Sequence, residues 1–289
     1  MTRSDPEYPL SDLALARRLE AAEGHANAAF VASRGRLQPE VGATWKEVAG
    51  TLVMFDGVVS PLTQTFGLGT LGTADDGTLG EIEAFMEERG AHVYHEVSPM
   101  ADSSLLLLLP ARGYWPVELT SVMHRPTTIP VPDADAQVRV RRIEPGEVES
   151  WADTAARGWG QTPELAEFMR DFGTITASAE GTVPFLAEID GEPVATGALA
   201  MHGGVALLAG ASTVPAARKQ GAQRALLQAR LRYAAEHGCD LAMMGAEPGS
   251  ASQIFDGFAK LAQMIWSCPR GCQKCDLALE RPTQFDERG

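Results

Sequence analysis

A chain of 289 residues, 45% hydrophobic and 21% charged, has the length of about two folded domains and enough apolar side chains for their cores. Its formal net charge of −14 disfavours general nucleic-acid binding, because phosphate contacts along a duplex need a broad basic face. No apolar run reaches the roughly 18 residues of a membrane span, and the first residues lack the apolar segment of a secretory signal, so we expect a cytoplasmic protein without membrane or nucleic-acid partners.

The first half of the chain alternates helical and extended patterns. Residues 15–33 follow helical spacing, and residues 45–57 lead into a strand. The amphipathic pattern of residues 78–90 predicts a helix that ends at Gly90. The next elements are predicted to be a strand, a short helix and a last strand, at residues 91–99, 103–114 and 115–125.

A proline-rich segment divides the chain. Residues 125–137 contain three prolines and little apolar content, which is typical of an extended linker. We therefore predict domains at residues 1–126 and 138–289, separated by a linker at residues 127–137.

The second half follows a broadly similar plan. Residues 138–159 predict a strand and then a helix, and residues 183–213 predict three strands with hairpin turns at Asp190-Gly191 and Gly203-Gly204. The later elements are predicted to be a strand, a helix and a strand, at residues 240–248, 250–261 and 263–267. This order indicates an α/β fold in which antiparallel strands precede a crossover helix, and its presence in both halves suggests tandem copies.

Positive charge gathers at one point of this acidic chain. The stretch VPAARKQGAQR, residues 214–224, follows a predicted buried strand and opens a helix that Gly238 can end. A helix start presents unpaired backbone N–H groups, and Gly221 would let the backbone approach a ligand closely, so a phosphate or pyrophosphate would fit here. A solvated helix start with incidental basic residues is the alternative.

Residues 136–267, and above all TVPAARKQGAQRALL, resemble the GNAT acyltransferase superfamily. In that superfamily an Arg/Gln-x-x-Gly-x-Gly/Ala turn joins the fourth strand to a helix, and its amides hold the pyrophosphate of acetyl-CoA. Arg218 and Gly221 match this motif, whereas Gln223 stands where the superfamily has Gly or Ala and would place a larger side chain beside the phosphate. The resemblance implies that acetyl-CoA contacts Ser212, Thr213, Val214, Arg218, Lys219, Gln220, Gly221, Ala222, Gln223 and Arg224.

The resemblance also implies a reaction and a fold. An acceptor amine, on a small molecule or peptide, would attack the thioester directly within a ternary complex, with the Val214 N–H bound to the thioester carbonyl. Each half would be a GNAT-like domain, with a mixed, mostly antiparallel sheet flanked by helices. The resemblance leaves a homodimer open.

The proton-transfer groups are less well defined. Glu247 and Glu188 are candidate general bases that could act through a bridging water, although a solvated surface acid is the preferred interpretation of each. The superfamily often uses a tyrosine as the acid, but Trp266 falls near that position. Trp159 could line the acceptor pocket or pack in the core. A catalytically weak CoA-binding sensor or structural pseudoenzyme is therefore the alternative function.

The N-terminal half resembles a degenerate copy of the same fold. PARGYWPVELTSVMHR, residues 110–125, resembles the closing strands of the superfamily, but nothing upstream matches the basic turn, so we expect no CoA there. GLGTLG at residues 67–72 satisfies G-x-G-x-x-G, yet Asp75 and Asp76 follow it and would repel a pyrophosphate. A glycine-rich strand and turn is the preferred interpretation.

The cysteines offer a further alternative. Cys268, Cys272 and Cys275 could bind zinc or an iron-sulfur cluster if a fourth ligand joined them. No such ligand is evident, so we expect reduced thiols and no metal. A metal-binding regulator built on these cysteines is the remaining hypothesis.

Overall fold

The computed structural model describes residues 8–131, 137–159, 162–249 and 258–267. These residues form two compact units. The N-terminal unit contains Pro9–His124 together with the strand Ala259–Ser267 from the end of the chain, and the C-terminal unit contains Arg125–Met244. No helix in this part of the chain is both long and apolar enough to cross a membrane.

The N-terminal unit is a six-stranded sheet with three helices. Its helices are α1 (Leu13–Leu37), α2 (Asp76–Glu87) and α3 (Leu105–Ala111). Its strands are β1 (Thr44–Val48), β2 (Thr51–Phe55), β3 (Thr65–Phe66), β4 (Tyr94–Val97), β5 (Trp115–Pro126) and β11 (Ala259–Ser267). The strand order is β1-β2-β3-β4-β11-β5, and the pairing is antiparallel except between β3 and β4.

The C-terminal unit is a five-stranded sheet, also with three helices. Its helices are α4 (Val148–Trp159), α5 (Pro163–Ser178) and α6 (Ala222–Glu236). Its strands are β6 (Arg139–Arg142), β7 (Thr182–Ile189), β8 (Glu192–His202), β9 (Val205–Thr213) and β10 (Leu241–Ala246). The order is β10-β9-β8-β7-β6, and β9 and β10 form the parallel pair.

Both units share one arrangement. Antiparallel strands come first, and a helix then crosses over to a parallel neighbour: β3-α2-β4 in the N-terminal unit and β9-α6-β10 in the C-terminal unit. The expected α/β class, with two mixed and mostly antiparallel sheets flanked by helices, is confirmed.

The core of the C-terminal unit is built around one aromatic side chain. Trp151 on α4 is fully buried against Leu186 and Ala198 of the sheet, and its indole N–H donates to the Phe185 carbonyl at 2.9 Å. The apolar ring fills the layer between helix and sheet while its one polar atom is satisfied. This contact fixes α4 against the strands that lead to the basic turn.

Three local elements differ from the sequence prediction. Residues 45–57 form the hairpin β1–β2 rather than one strand, with Ala49 and Gly50 at φ values of 48° and 83°. Helix α5 was not predicted. Residues 259–261, expected at the end of a helix, begin β11 instead, whereas residues 250–257 lie outside the described residues.

The domain prediction differs from the compact units at two places. Strand β11, assigned from sequence to the C-terminal domain, pairs with β4 and β5 in the N-terminal unit. The first residue of the expected linker, Thr127, is hydrogen-bonded to the C-terminal unit. Its N–H donates to the Asp240 carbonyl and its hydroxyl to the Cys239 carbonyl. Residues 132–136 lie outside the described residues.

Candidate active site

The basic turn predicted from the sequence lies between β9 and α6. A short 3-10 turn at Pro215–Ala217 follows β9, and Gly221 is the N-cap of α6 with a φ of 85°. This left-handed conformation favours glycine. Gly221 has no side chain that could cap α6, so the first backbone N–H groups of the helix keep their capacity to bind an anion.

Basic side chains surround this helix start. Arg218, Lys219 and Arg224 are exposed. The Arg218 guanidinium donates Nη2–H to the Gly158 carbonyl at 3.3 Å, which ties the turn to the end of α4. These charges add to the positive end of the α6 dipole, so the turn is an electrostatically favourable place for phosphate.

The adjoining strand β9 has an open edge. Its parallel pairing with β10 covers only Val205–Leu207, whereas its pairing with β8 continues to Thr213 opposite Ala195. Beyond Leu207, the edge of β9 that faces β10 is therefore unpaired within the described residues. Backbone groups at such an edge can bind an extended ligand in the manner of an added strand.

A β-bulge lies within this open stretch. Ser212 is opposite Thr196 and Ala209 is opposite Ala198, so two residues of β9 face the single residue Gly197. One of the two, Gly210, has a φ of 62°. Because a bulge bends the strand that carries it, the end of β9 follows a direction different from that of its paired beginning.

Gln223 fixes the start of α6 to the end of β9. Its amide Nε2–H donates to the Ser212 carbonyl at 2.7 Å and to the Thr213 hydroxyl at 2.8 Å. The side chain is therefore directed to the strand and does not stand free beside the helix start, contrary to the expectation for the larger residue at this motif position. Its two polar contacts explain why glutamine is accommodated here.

The residues expected to contact the pantetheine arm differ in whether their backbone groups are already paired with β8. The Val214 N–H donates to the Val194 carbonyl at 2.9 Å, and Ser212 is paired with Thr196. The prediction that the Val214 N–H binds the thioester carbonyl is thus corrected, because this N–H continues the β8–β9 ladder. Successive residues of a strand direct their backbone groups to opposite edges, so Thr213 directs its own to the open edge.

Arg230 stabilises the bulge through hydrogen bonds to both strands, a role that was not predicted from the sequence. This α6 side chain is 3% exposed, and its Nη1 donates to the carbonyls of Ala198 at 3.2 Å and Ala209 at 3.1 Å. No carboxylate among the described residues pairs with it, and burial lowers its pKa to about 10. The detectable sequence feature was an arginine four residues after Leu226, on the apolar face of α6.

The two predicted bases occupy different environments. Glu188 is 6% exposed, and Arg141 donates Nε–H to its carboxylate at 2.7 Å. The alternative of a solvated surface acid is therefore wrong for Glu188, whose contacts are those of a structural ion pair that Arg141 extends to Glu147. Glu247 is exposed and follows the last residue of β10. A catalytic role for either residue stays a prediction.

Trp159 lies beside the bulge. It ends α4, is partly buried, and donates its indole N–H to the Ala211 carbonyl at 3.1 Å. The indole ring therefore lies beside the part of β9 that is not paired with β10. His202 is exposed at the β8–β9 turn.

The N-terminal unit has a different loop at the equivalent place, between β3 and α2. Asp75 caps α2 by accepting hydrogen bonds from the N–H and hydroxyl of Thr78, which lower the pKa of its carboxyl group. A charged carboxylate thus occupies the helix start where a phosphate would bind. A Cβ at Gly72 would lie 1.7 Å from the Ala49 carbonyl oxygen, so this glycine is needed for packing. These contacts support a glycine-rich turn rather than a nucleotide site.

The last predicted features lie at the end of the chain. Trp266 packs in the core of the N-terminal unit. Cys268, Cys272 and Cys275 lie outside the described residues. In the part of the chain that the structure describes, no group of histidine, cysteine or acidic side chains could hold a metal ion.

The crossover helix, the basic helix start and the open strand edge lie together in one part of the C-terminal unit. Residues 133–249 match the family model described as "Acetyltransferase (GNAT) domain". This match agrees with the resemblance of residues 136–267 to the GNAT superfamily. No curated protein matches the chain.

Solved structures share the fold across both units. A GCN5-related N-acetyltransferase from Kribbella flavida is 21% identical with a TM-score of 0.58, covering 86% of this chain and 98% of its own. A GCN5-related N-acetyltransferase from Sphaerobacter thermophilus is 18% identical with a TM-score of 0.52, covering 78% and 75%. A tandem GNAT protein from the clavulanic acid biosynthesis pathway is 12% identical with a TM-score of 0.53, covering 75% and 78%. At these identities the likeness concerns the fold, including its tandem form.

Proposed function

We propose that the C-terminal unit transfers an acetyl group from acetyl-CoA to the amine of a small-molecule or peptide acceptor. The observation that carries this proposal is the uncapped start of α6 at Gly221, placed next to the open edge of β9. A thioester of an extended, phosphorylated carrier needs both features, one for the pyrophosphate and one for the pantetheine arm.

Different residues of this site would bind different parts of acetyl-CoA. Backbone N–H groups from Gly221 to Arg224 and the guanidinium of Arg218 bind the pyrophosphate. Thr213 binds the arm through its edge-directed backbone, and we assign its N–H, in place of that of Val214, to the thioester carbonyl. Such a donor stabilises the oxyanion that forms when the carbonyl carbon is attacked.

The chemical step is a direct acyl transfer. The amine nitrogen attacks the thioester carbonyl carbon, a C–N bond forms, the C–S bond breaks, and the amine loses a proton while the thiolate gains one. Glu247, which is exposed at the end of β10, is the first candidate to accept the amine proton through a bridging water. Glu188 is the second, although its ion pair with Arg141 gives it a structural task already.

Calorimetric titration of acetyl-CoA tests the binding site. Arg218→Ala is expected to weaken binding about tenfold, equivalent to about 1.4 kcal/mol, because one charge-assisted contact is lost. Arg232→Ala, which removes a positive charge ten residues after the start of α6, should leave binding unchanged. Gly221→Glu should abolish binding, and Gly221→Ala separates backbone strain from the added negative charge.

Turnover separates the enzyme from the sensor alternative. Release of free CoA thiol is measured with acetyl-CoA and a panel of primary amines, against a reaction without protein. Amine-dependent release supports the transferase. Tight binding of acetyl-CoA without release above background would support a catalytically weak sensor, and no binding at all would contradict both.

A further inference from the structure

The last turn of α4 is tightly joined to the end of β9. The Ser212 hydroxyl donates to the Ala155 carbonyl at 2.9 Å. The Trp159 indole N–H donates to the Ala211 carbonyl at 3.1 Å. A Cβ at Gly158 would overlap Ser212 Oγ, so this glycine allows the helix end and the strand to meet. These contacts hold the Trp159 ring in one place beside β9.

The Ala211 carbonyl that receives the indole N–H is directed away from β8. The Gly210 carbonyl before it accepts a hydrogen bond from the Thr196 hydroxyl of β8 at 3.0 Å. Ser212 after it is the strand partner of the same Thr196. Because successive residues of a strand direct their backbone groups to opposite edges, the Ala211 carbonyl and the Thr213 backbone share the open edge. The indole therefore occupies one acceptor of that edge.

The Trp159 ring lies two residues beyond the proposed thioester donor. The pyrophosphate is proposed to bind at the start of α6, which follows the end of β9, and the Thr213 N–H to bind the thioester carbonyl. An arm that runs along the edge from the pyrophosphate reaches Thr213 first and directs its acyl group towards Ala211. Two residues of a strand span about 6–7 Å. A long acyl chain would therefore meet the indole.

The ring is held too firmly to move aside for such a chain. Trp159 is partly buried, and its displacement would leave the Ala211 carbonyl without this donor. The helix end cannot withdraw with the ring unless the bond between Ser212 and Ala155 also breaks. A large aromatic side chain with few torsions forms a rigid wall.

We infer, on the basis of the proposed acetyl transfer, that Trp159 determines the acyl-donor specificity of the C-terminal unit by limiting the acyl group to a short chain. The single methyl group of acetyl-CoA fits between the Thr213 N–H and the indole. A chain of six carbons reaches the ring and must displace it. Trp159 is therefore a wall of the acyl site, in addition to any contact that it makes with the acceptor.

The test titrates CoA, acetyl-CoA and hexanoyl-CoA into the full chain and measures each affinity by calorimetry. CoA has no acyl group, so it reports the binding of the phosphates and the arm alone. The wild type should bind hexanoyl-CoA at least about tenfold more weakly than acetyl-CoA. Trp159→Ala should bind hexanoyl-CoA at least about tenfold more tightly than the wild type does, because the wall is removed. A gain in affinity cannot result from partial unfolding of the variant.

Matched variants separate the size of the ring from general effects of the substitution. Trp159→Phe keeps a large ring and should still disfavour hexanoyl-CoA relative to Trp159→Ala. Trp45→Ala removes a tryptophan of β1 that is 40% exposed, and it should bind all three ligands as the wild type does. Trp159→Leu carries the same expectation as Trp159→Ala and replaces it if circular dichroism shows that the alanine variant is unfolded.

The outcomes distinguish this role of Trp159 from the proposed function. Equal binding of acetyl-CoA and hexanoyl-CoA by the wild type would overturn the inference, as would hexanoyl-CoA binding that does not improve when Trp159 is shortened. In both cases, binding of CoA would leave the proposed cofactor site intact. A wild type that binds none of the three ligands would contradict the proposed function itself, and the role of Trp159 with it.

Discussion

Gly197 leaves the space that the Arg230 guanidinium occupies: a Cβ at residue 197 would lie 2.8 Å from Arg230 Cζ. The glycine is the single residue of β8 opposite the two-residue bulge of β9. Arg230 enters through this gap and donates to carbonyls on both strands. The bulge, the glycine and the arginine therefore form one structural unit beneath the open edge of β9.

Gly197→Ala tests this relationship. The added methyl group should displace Arg230 and leave the Ala198 and Ala209 carbonyls without a donor, at a cost of about 1–3 kcal/mol of unfolding free energy. Acetyl-CoA binding should weaken as well, because the bulge sets the direction of the end of β9, which is proposed to bind the pantetheine arm. Urea denaturation and calorimetry measure the two effects. Gly146→Ala is the control, since a Cβ there meets open space. Equal stability of the two variants would contradict the role of the gap.

Gln223→Ala tests the joint between α6 and β9. The substitution removes the donor to the Ser212 carbonyl and the Thr213 hydroxyl, and we expect a loss of about 1–2 kcal/mol of unfolding free energy. Gln220→Ala removes an exposed hydrogen bond to the Ala216 carbonyl and should change stability much less. If the two variants unfold at the same denaturant concentration, the joint is not a stabilising feature.

Much of the C-terminal unit could be predicted because its elements carry local sequence information. The turns at Asp190-Gly191 and Gly203-Gly204 separate three apolar runs, and β7, β8 and β9 are found there. Gly221 and the neighbouring basic residues likewise identified the helix start. Turns whose residues take positive φ values are easily predicted from the sequence when those residues are glycines.

The errors arise where distant parts of the chain decide the structure. Strand β11 was partly predicted as helix, but its residues pair with β4 and β5, more than 130 positions away in sequence. The β1–β2 turn was missed because Ala49, not glycine, takes its first positive φ. The role of Arg230 was not predicted because it depends on a β-bulge between β8 and β9, which the local sequence pattern does not indicate.

The two candidate bases should respond differently to substitution. Glu188→Gln removes the negative charge buried against Arg141, so we expect a lower Tm and roughly proportional losses in all activities. Glu247→Gln changes an exposed side chain, so we expect an unchanged Tm and a selective decrease in kcat, because the amide cannot accept the amine proton. Thermal unfolding and amine-dependent CoA release measure these effects. An unchanged kcat in Glu247→Gln would remove this residue from the mechanism.

The stability of the protein should fall as the pH rises from about 4.5 to 7, to the extent that Glu20 determines it. Burial raises the pKa of Glu20 from 4.5 to about 7, although the hydrogen bond from Thr70 acts in the opposite direction. The folded state therefore binds the proton more tightly than the unfolded state does. Stability from this proton is complete below the unfolded pKa and is lost as the pH rises through the folded pKa.

The expected loss is on the order of 3 kcal/mol at most, since one pKa unit corresponds to about 1.4 kcal/mol. Urea denaturation of wild type and Glu20→Gln at matched pH values measures the contribution of Glu20 together with its repulsion of Glu23 and Glu96. More distant titrating residues contribute to both curves. The stability difference between the variant and the wild type should grow from pH 5 to pH 8 in favour of the variant. Parallel curves over that range would mean that the Glu20 carboxylate is compensated in the folded protein, and that burial does not raise its pKa.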